Sequence, residues 1–226
     1  MDPDRRAGVL LDIDGTLLDT NYLHALAWWQ AMRDAGIAGI TMTDTHQSVG
    51  IANDQLLDHL APDASDRVKK KTIKAHSKRY AKLQKQVVAF DRADELILRC
   101  RDVGLAVVLA TSGEASDLDW MLPAIGVDSA AITGVTTSAD VEVAKPAPDL
   151  LAVAMEQHGL DPARTVAIGD TIWDVQAAHA ADVPLIAFTG GGIPRCQLTE
   201  ADADEIYSGP ADLLDHWRSS RISRLS

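Results

Sequence analysis

The amino-acid sequence predicts an α/β protein with a doubly wound, Rossmann-like parallel-sheet core and a small all-helical cap. From residue 90 onward, short apolar runs alternate with amphipathic segments, an order typical of parallel sheets. Between residues 19 and 88, helical periodicity continues without any strand-like run. We therefore expect residues 1–18 and 90–226 to form the core and residues 19–89 to form the cap.

The first strand is predicted at Val9–Leu11, an apolar run of the kind that is buried on both faces of a parallel sheet. Two cap helices are expected at residues 23–32, ending at Gly36, and at residues 53–60, ending before Pro62. A third, longer helix is indicated by residues spaced three and four apart on one face: Ile73, His76, Tyr80, Leu83 and Val87. A helical segment of this length is too long to be a connecting loop.

After residue 90, the core is predicted to consist of strands that alternate with helices. Strands are expected at residues 105–110, 130–133, 165–168 and 184–187. Helices are expected at residues 91–103, 117–125, 148–158 and 172–181, most of them followed closely by glycine. Short helical and strand-like pieces are expected to complete the chain.

The composition excludes several classes of function. A net charge of −12 disfavours nucleic acid and anionic membranes as partners. No run of 18 apolar residues is present, so no membrane span is expected, and the polar N-terminus lacks the apolar segment of a signal peptide. Cys100 is expected to be a buried, reduced thiol, and with Cys196 it forms no metal or redox spacing. The expectation is a cytoplasmic monomer or homodimer.

Two carboxylates, Asp12 and Asp14, directly follow the first predicted strand. Alternation sends side chains one residue apart to the same side, where two carboxylates repel unless a cation or a shared proton relieves them. The carboxyl ends of strands are also where open α/β sheets bind ligands. This pattern favours a divalent metal site in which one carboxylate stays available for covalent chemistry.

Three further polar motifs fall at or near later strand ends. Thr111 and Ser112 follow the second strand, and Asp170 and Asp174 follow the strand at 165–168. Lys145 directly precedes two closely spaced prolines. Each has an ordinary interpretation by itself: a loop hydroxyl, a surface lysine or a helix cap. Only the occurrence of these motifs together, in this order, indicates a functional site.

The motifs Asp-x-Asp-Gly-Thr-Leu-x-Asp at residues 12–19 and Lys-Pro-x-Pro-Asp at residues 145–149 resemble those of the haloacid dehalogenase superfamily. The resemblance is to its branch of phosphoglycolate phosphatases and β-phosphoglucomutases, which carry a helical cap after the first strand. It implies that Asp12 is a nucleophile that forms an aspartyl-phosphate. It also implies that Asp14 is the general acid for the leaving group and then the base for water.

The resemblance further implies a Mg²⁺ ion bound by Asp12, the backbone carbonyl of Asp14 and Asp170. Asp174, one helical turn further on, is then expected to hold Asp170, Lys145 or a metal-bound water in place. Oxygen ligands of this kind suit Mg²⁺ better than zinc.

Four residues are implied to hold the phosphoryl group or its surroundings. The hydroxyl of Thr111 and the backbone N–H of Ser112 are expected to bind phosphoryl oxygens. Lys145 is expected to neutralise both Asp12 and the phosphoryl group. Thr16 is expected to bind near the substrate and to set the position of Asp14 at the entrance to the cap.

Asp14 narrows the chemistry, because the dehalogenating and phosphonate-cleaving branches lack an aspartate there. The remaining candidates are a phosphatase acting on a small phosphorylated metabolite, phosphoglycolate- or sugar-phosphate-like, and a β-phosphoglucomutase-like phosphomutase. His24 matches the mutase, but Asn53 stands where the mutase has an arginine for a second phosphate. We therefore favour the phosphatase, and a non-catalytic protein that binds phosphometabolites is the less favoured alternative.

Two features of the cap and one segment of the core are further candidates. His24 is interpreted either as a substrate contact or as a satisfied polar group at the cap edge. Residues 67–85 are basic and contain no acidic residue, which usually indicates a solvated helix face. Alternatively, one or two of these cations, Lys82 first, point inward to attract an anionic substrate. Residues 190–192, three glycines, are interpreted as a flexible loop, with a phosphate cradle as the alternative.

Overall fold

The computed structural model describes residues 5–141, 143 and 145–225. Six strands form one sheet, in which every neighbouring pair is parallel and the order is β3-β2-β1-β4-β5-β6. The strands are β1 (Arg6–Leu11), β2 (Ala106–Ala110), β3 (Gly134–Thr136), β4 (Leu160–Gly169), β5 (Leu185–Phe188) and β6 (Glu205–Tyr207). The predicted doubly wound parallel sheet is confirmed.

Four helices follow β1 in the stretch predicted to form the cap: α1 (Asn21–Asp34), α2 (Met42–Gln47), α3 (Asn53–Leu60) and α4 (Asp66–Leu83). Six more follow: α5 (Ala93–Asp102), α6 (Leu118–Ile125), α7 (Asp149–Gln157), α8 (Ile172–Ala180), α9 (Arg195–Glu200) and α10 (Pro210–Asp215). Among the described helices, none combines the length and the apolar character that a bilayer crossing needs.

The central strand β1 explains how the two faces of the sheet are filled. Its residues alternate between two apolar clusters: Val9 and Leu11 belong to one, and Leu10 belongs to the other. Helices α5, α6 and α10 supply side chains to the first cluster, while α7, α8 and α9 supply the second. The continuous apolar run in β1 is therefore required, because the strand is covered on both sides.

The segment from α1 to α4 has a small apolar cluster of its own, consisting of Trp28, Met32, Ile51, Leu56 and Leu57. The two chain segments that join this insert to the core lie side by side. Leu18 and Ala89 form an antiparallel bridge, and the N–H of Asp19 donates to the carbonyl of Val88 at 2.9 Å. The boundaries of the cap at residues 19–89 stay a prediction.

Some predicted elements are wrong in position. The strand expected at residues 130–133 is β3, which begins at Gly134, because Asp128 accepts the N–H of Ala130 at 2.9 Å and fixes a turn there. Strand β4 begins at Leu160, five positions before the predicted start, and α4 already begins at Asp66. Helix α2 was not expected, although Thr41 and Asp44 form a reciprocal cap at its start.

Candidate active site

Three neighbouring strands bring the predicted site residues to one edge of the sheet. Asp12 follows β1, Thr111 follows β2 and Asp170 follows β4. Leu11 is in register with both Leu109 and Ile168, so these three strands end at nearly the same level. Residues that are distant in the sequence therefore meet where α/β sheets bind ligands.

Three buried carboxylates meet at this edge. One oxygen atom from each of Asp12, Asp170 and Asp174 lies within 4.8 Å of the others. Burial, together with the neighbouring negative charges, raises the pKa of Asp12 to about 7, even though Lys145 opposes the rise. Burial and the charges of Asp174 and Asp12 likewise raise the pKa of Asp170 well above its ordinary range. The group therefore favours the arrival of positive charge or protons.

Lys145 supplies part of that positive charge from a position that is only 2% exposed. Its Nζ donates to Oδ1 of Asp12 at 2.6 Å and lies 2.7 Å from Oδ1 of Asp174. Burial would lower the pKa of Lys145, but the charges of Asp12 and Asp174 outweigh this effect and raise it. The lysine is therefore charged, and it offsets one of the three carboxylates.

The donor set fits Mg²⁺. Its members are carboxylate oxygens, which are hard ligands of the kind that Mg²⁺ prefers. One lysine neutralises only one of the three carboxylates, so a negative charge is left for a cation to offset. Asp174 is already occupied: its Oδ2 accepts the N–H of Thr171 at 3.0 Å and the hydroxyl of Thr171 at 2.5 Å, while Oδ1 faces Lys145. Asp12 and Asp170 would therefore hold the ion, and Asp174 positions Lys145. The carbonyl of Asp14 stays a predicted ligand.

Thr16 and Asn21 orient the two carboxylates. The hydroxyl of Thr16 lies 3.3 Å from an oxygen of Asp12 and 3.2 Å from an oxygen of Asp170, so the two carboxylates share its one hydrogen. Asn21 donates to the other oxygen of Asp170 at 2.7 Å. Thr16 is fully buried and is not among the residues that line the cavity, and the contacts of its hydroxyl are with Asp12 and Asp170. Its contacts with substrate and with Asp14 stay predictions. Asn21 was missed, because a single asparagine at a helix start usually indicates nothing more than a cap.

Asp14 faces the cap, where it meets His24. Nε2 of His24 lies 3.4 Å from Oδ1 of Asp14, and Nδ1 of His24 lies 3.2 Å from Nε2 of His76. Burial would raise the pKa of Asp14, but contact with His24 outweighs this effect and lowers it. His24 is therefore a partner of the predicted general acid, and it also lines the cavity, so its contact with substrate stays a prediction.

A cavity of about 650 Å³ lies between the core and the helical insert. Asp12, Asp14, Thr111 and Ser112 line it from the core side, and Asn53 lines it from the start of α3. The hydroxyl of Thr111 accepts the N–H of Gly113 at 3.0 Å, which leaves its own hydrogen available to a ligand. The hydroxyl of Ser112 donates to the carbonyl of Gly50 at 3.2 Å and so links core and cap.

Lys82 is exposed and is not among the residues that line the cavity, which agrees with a solvated helix face and not with the alternative that Lys82 points inward. The reason is helical geometry. The cavity is lined by His76 and Tyr80 on one face of α4 and by Gln84 directly after the helix, and these residues are spaced four apart. Lys82 lies two positions from Tyr80, close to the opposite side of the helix.

The glycine segment serves close packing, a role that neither proposed interpretation covered. A Cβ atom on Gly191 would lie 1.8 Å from Oδ2 of Asp170. The carbonyl of Gly191 also accepts from Asn21 at 3.2 Å and contacts Nε2 of His46 at 2.9 Å. The segment therefore fastens two cap residues to the core beside the carboxylate cluster.

The model of the family described as haloacid dehalogenase-like hydrolase matches residues 9–188, which include the three buried carboxylates, Lys145 and every residue that lines the cavity. The chain belongs to the haloacid dehalogenase-like hydrolases. Phosphoglycolate phosphatase from Xylella fastidiosa is similar to this haloacid dehalogenase-like hydrolase, with 31% identity over 187 residues, 80% of either chain. The family and such relatives show that the enzyme is a phosphatase.

Two further similarities cover nearly all of this haloacid dehalogenase-like hydrolase. A solved structure of a hydrolase from Pseudomonas syringae has a TM-score of 0.89 and 30% identity, over 95% of this chain and 99% of that one. Protein SUPPRESSOR OF QUENCHING 1, chloroplastic, from Arabidopsis thaliana is 28% identical over 218 residues. That match covers 92% of this chain but only 19% of the plant protein, so the chain spans about a fifth of that relative's length.

Proposed function

We propose that this enzyme is a Mg²⁺-dependent phosphatase that hydrolyses a small phosphorylated metabolite through an aspartyl-phosphate on Asp12. The observation that supports it is the position of Asp12 at the wall of the cavity, beside two further buried carboxylates and held by Lys145. A carboxylate in this setting combines a fixed direction with a nearby positive charge, as a nucleophile needs. The residues 19–89 would act as the cap that closes over the substrate and excludes water.

In the first step, an oxygen of Asp12 forms a bond to phosphorus as the bond between phosphorus and the leaving oxygen breaks. Asp14 donates a proton to that leaving oxygen, and His24 is positioned to share the proton. The hydroxyl of Thr111 donates to a phosphoryl oxygen, and Lys145 neutralises the negative charge around Asp12. When bound, Mg²⁺ supplies further positive charge to the carboxylates and the phosphoryl oxygens.

In the second step, Asp14 accepts a proton from a water molecule, whose oxygen attacks phosphorus. The bond between Asp12 and phosphorus breaks, and phosphate leaves while the carboxylate of Asp12 is restored. Asp14 thus acts first as acid and then as base, and its protonation state at the end of the cycle equals that at the start.

The test is the hydrolysis of p-nitrophenyl phosphate by the full chain. Asp12→Asn is expected to abolish turnover, whereas Asp119→Asn, at an exposed position of α6 outside the cavity, serves as the matched control with unchanged turnover. A chelator should silence the enzyme, and added Mg²⁺ should restore it. Turnover by Asp12→Asn, or indifference to chelation, would contradict the proposal.

One observation favours the phosphomutase as a second candidate: His24 contacts Asp14, and a histidine in the first cap helix is typical of that branch. Asn53 argues against it, since an amide offers no charge to a second phosphate. Isomerisation of a sugar phosphate that depends on a bisphosphate activator would establish the mutase. A purely binding protein is disfavoured by the hydrolase family and by the complete set of acidic residues.

A further inference from the structure

The charged side chains that line the cavity are of one sign. Among the described residues that line it, none is a lysine or an arginine. The lining residues with full charges, apart from Asp12 and Asp14, are Asp54, Glu114 and Asp117, all acidic. A substrate with a carboxylate or a second phosphate on its leaving group would meet like charge here, and like charges in a partly buried site repel.

Among the described residues, three polar atoms on the cap side of this cavity are buried with neither a hydrogen bond nor an ion-pair contact: Oε1 of Gln55, Nδ1 of His76 and Oη of Tyr80. All three residues line this one cavity, and His76 and Tyr80 are each 5% exposed. Buried polar atoms in folded proteins nearly always have a partner, so three orphans around one cavity indicate a polar ligand. An amide oxygen, an imidazole nitrogen and a phenol each pair well with an alcohol hydroxyl, which both donates and accepts.

Stacked rings make up the wall between these atoms. The ring of His24 lies 3.7 Å from that of Tyr80, and the ring of His76 lies 3.9 Å from that of Trp28. These residues all line the cavity. A rigid aromatic wall with a few polar atoms suits a ligand that has both C–H surfaces and hydroxyl groups.

We propose that the cavity selects monophosphates whose leaving group is an uncharged, hydroxylated alcohol, that is, a polyol or a sugar, and rejects leaving groups that carry a carboxylate or a second phosphate. This inference rests on the proposed phosphatase function and adds the substrate class. It makes phosphoglycolate a poor substrate, because its leaving group, the alcohol glycolate, carries a carboxylate.

The experiment compares matched substrates on the full chain with Mg²⁺, by release of inorganic phosphate. Glycerol 3-phosphate is paired with 3-phosphoglycerate, and sorbitol 6-phosphate is paired with 6-phosphogluconate. Each pair shares a carbon skeleton and differs by one carboxylate. We expect kcat/KM to be at least about tenfold higher for the uncharged member of at least one pair. Equal values, a preference for the acidic members, or turnover of neither pair would overturn the inference.

Hydrolysis of p-nitrophenyl phosphate distinguishes a failure of the proposed phosphatase function from a failure of the proposed substrate class. If that ester is not hydrolysed, the proposed function fails. If it is hydrolysed but the acidic members are used as well as the uncharged ones, only the inference on substrate class fails.

Engineered cations test the charge argument directly. Gln55→Lys and, as a second variant at a partly exposed position, Asn53→Arg each add a cation to the cavity lining. Both are expected to shift the ratio of kcat/KM values toward the acidic member by about tenfold, the effect of roughly 1.4 kcal/mol. Gln86→Lys adds the same charge at an exposed position outside the lining and should leave the ratio unchanged. An unchanged ratio in a folded Gln55→Lys or Asn53→Arg variant would contradict the inference.

Discussion

Replacing Asp12 by asparagine should stabilise the metal-free protein while it destroys turnover. Asparagine has nearly the same shape, and its carbonyl oxygen still accepts from Lys145, which lies 2.6 Å from Asp12. The substitution removes one negative charge from a buried cluster that contains Asp170 and Asp174 as well. The gain in stability is therefore electrostatic, and its size follows from the pKa of Asp12.

The pKa of Asp12 rises from 3.8 to about 7 on folding. At about 1.4 kcal/mol per pH unit, this costs the folded state roughly 4 kcal/mol at pH 8. A raised carboxyl pKa means that the folded state binds its proton more tightly, so the cost is absent below pH 3.8, grows as the pH rises to 7 and is constant above. At pH 5.5 it is about 2 kcal/mol by the same relation.

Urea denaturation of both proteins in the presence of a chelator measures this difference. We expect Asp12→Asn to be more stable than the original protein at pH 8, by roughly twice the margin found at pH 5.5. Asp119→Asn, which changes an exposed carboxylate, should show no such pH-dependent gain. A variant that is less stable at pH 8, or a margin that does not change with pH, would refute the electrostatic account of the cluster.

Three other predictions use the same protein. Gly191→Ala should lower the free energy of unfolding by about 1–3 kcal/mol, because its Cβ would overlap Oδ2 of Asp170; Gly209→Ala, with open space around its Cβ, is the control in the same urea titration. Tyr80→Phe should leave the free energy of unfolding unchanged or raise it by up to about 1 kcal/mol, because it removes a buried hydroxyl that has no hydrogen-bond partner. A lower free energy of unfolding in this variant would contradict the prediction, because it would mean that the hydroxyl has a partner. A thiol reagent should label only the exposed Cys196 in the native protein, because Cys100 is buried and burial raises its pKa to about 12. In denaturant the reagent should label both cysteines, and labelling of both in the native protein would contradict the prediction.

The sequence predicts the sheet and the carboxylate cluster well, because the relevant information is local. Val9–Leu11 is apolar without interruption, as a strand covered on both faces must be, and Asp12 follows it at once. The same holds for Asp170 at the end of β4. Parallel pairing then brings such strand ends together without any need to predict long-range contacts.

The sequence fails where a role depends on which way a side chain points across the cap. The direction of Lys82 depends on which face of α4 meets the core, and its neighbours in the sequence do not fix that face. Ile73, His76 and Tyr80 share one predicted helix face. The polar atoms of His76 and Tyr80 on this otherwise apolar face are the sequence signal that could have identified them as lining a cavity. The bonds from Thr16 and Asn21 to Asp170 join positions about 150 residues apart, beyond the reach of any local pattern.

The paired linkers at Leu18 and Ala89 have a consequence for how this architecture diversifies. Because the entry and exit of the insert are adjacent and bridged, the sheet closes in the same way whatever helices lie between them. A graft of a different helical insert at these two positions would therefore leave the strand order and the acidic cluster assembled, while replacing the wall that meets the substrate. Evolution can change the molecules such an enzyme accepts without touching the bond-breaking machinery.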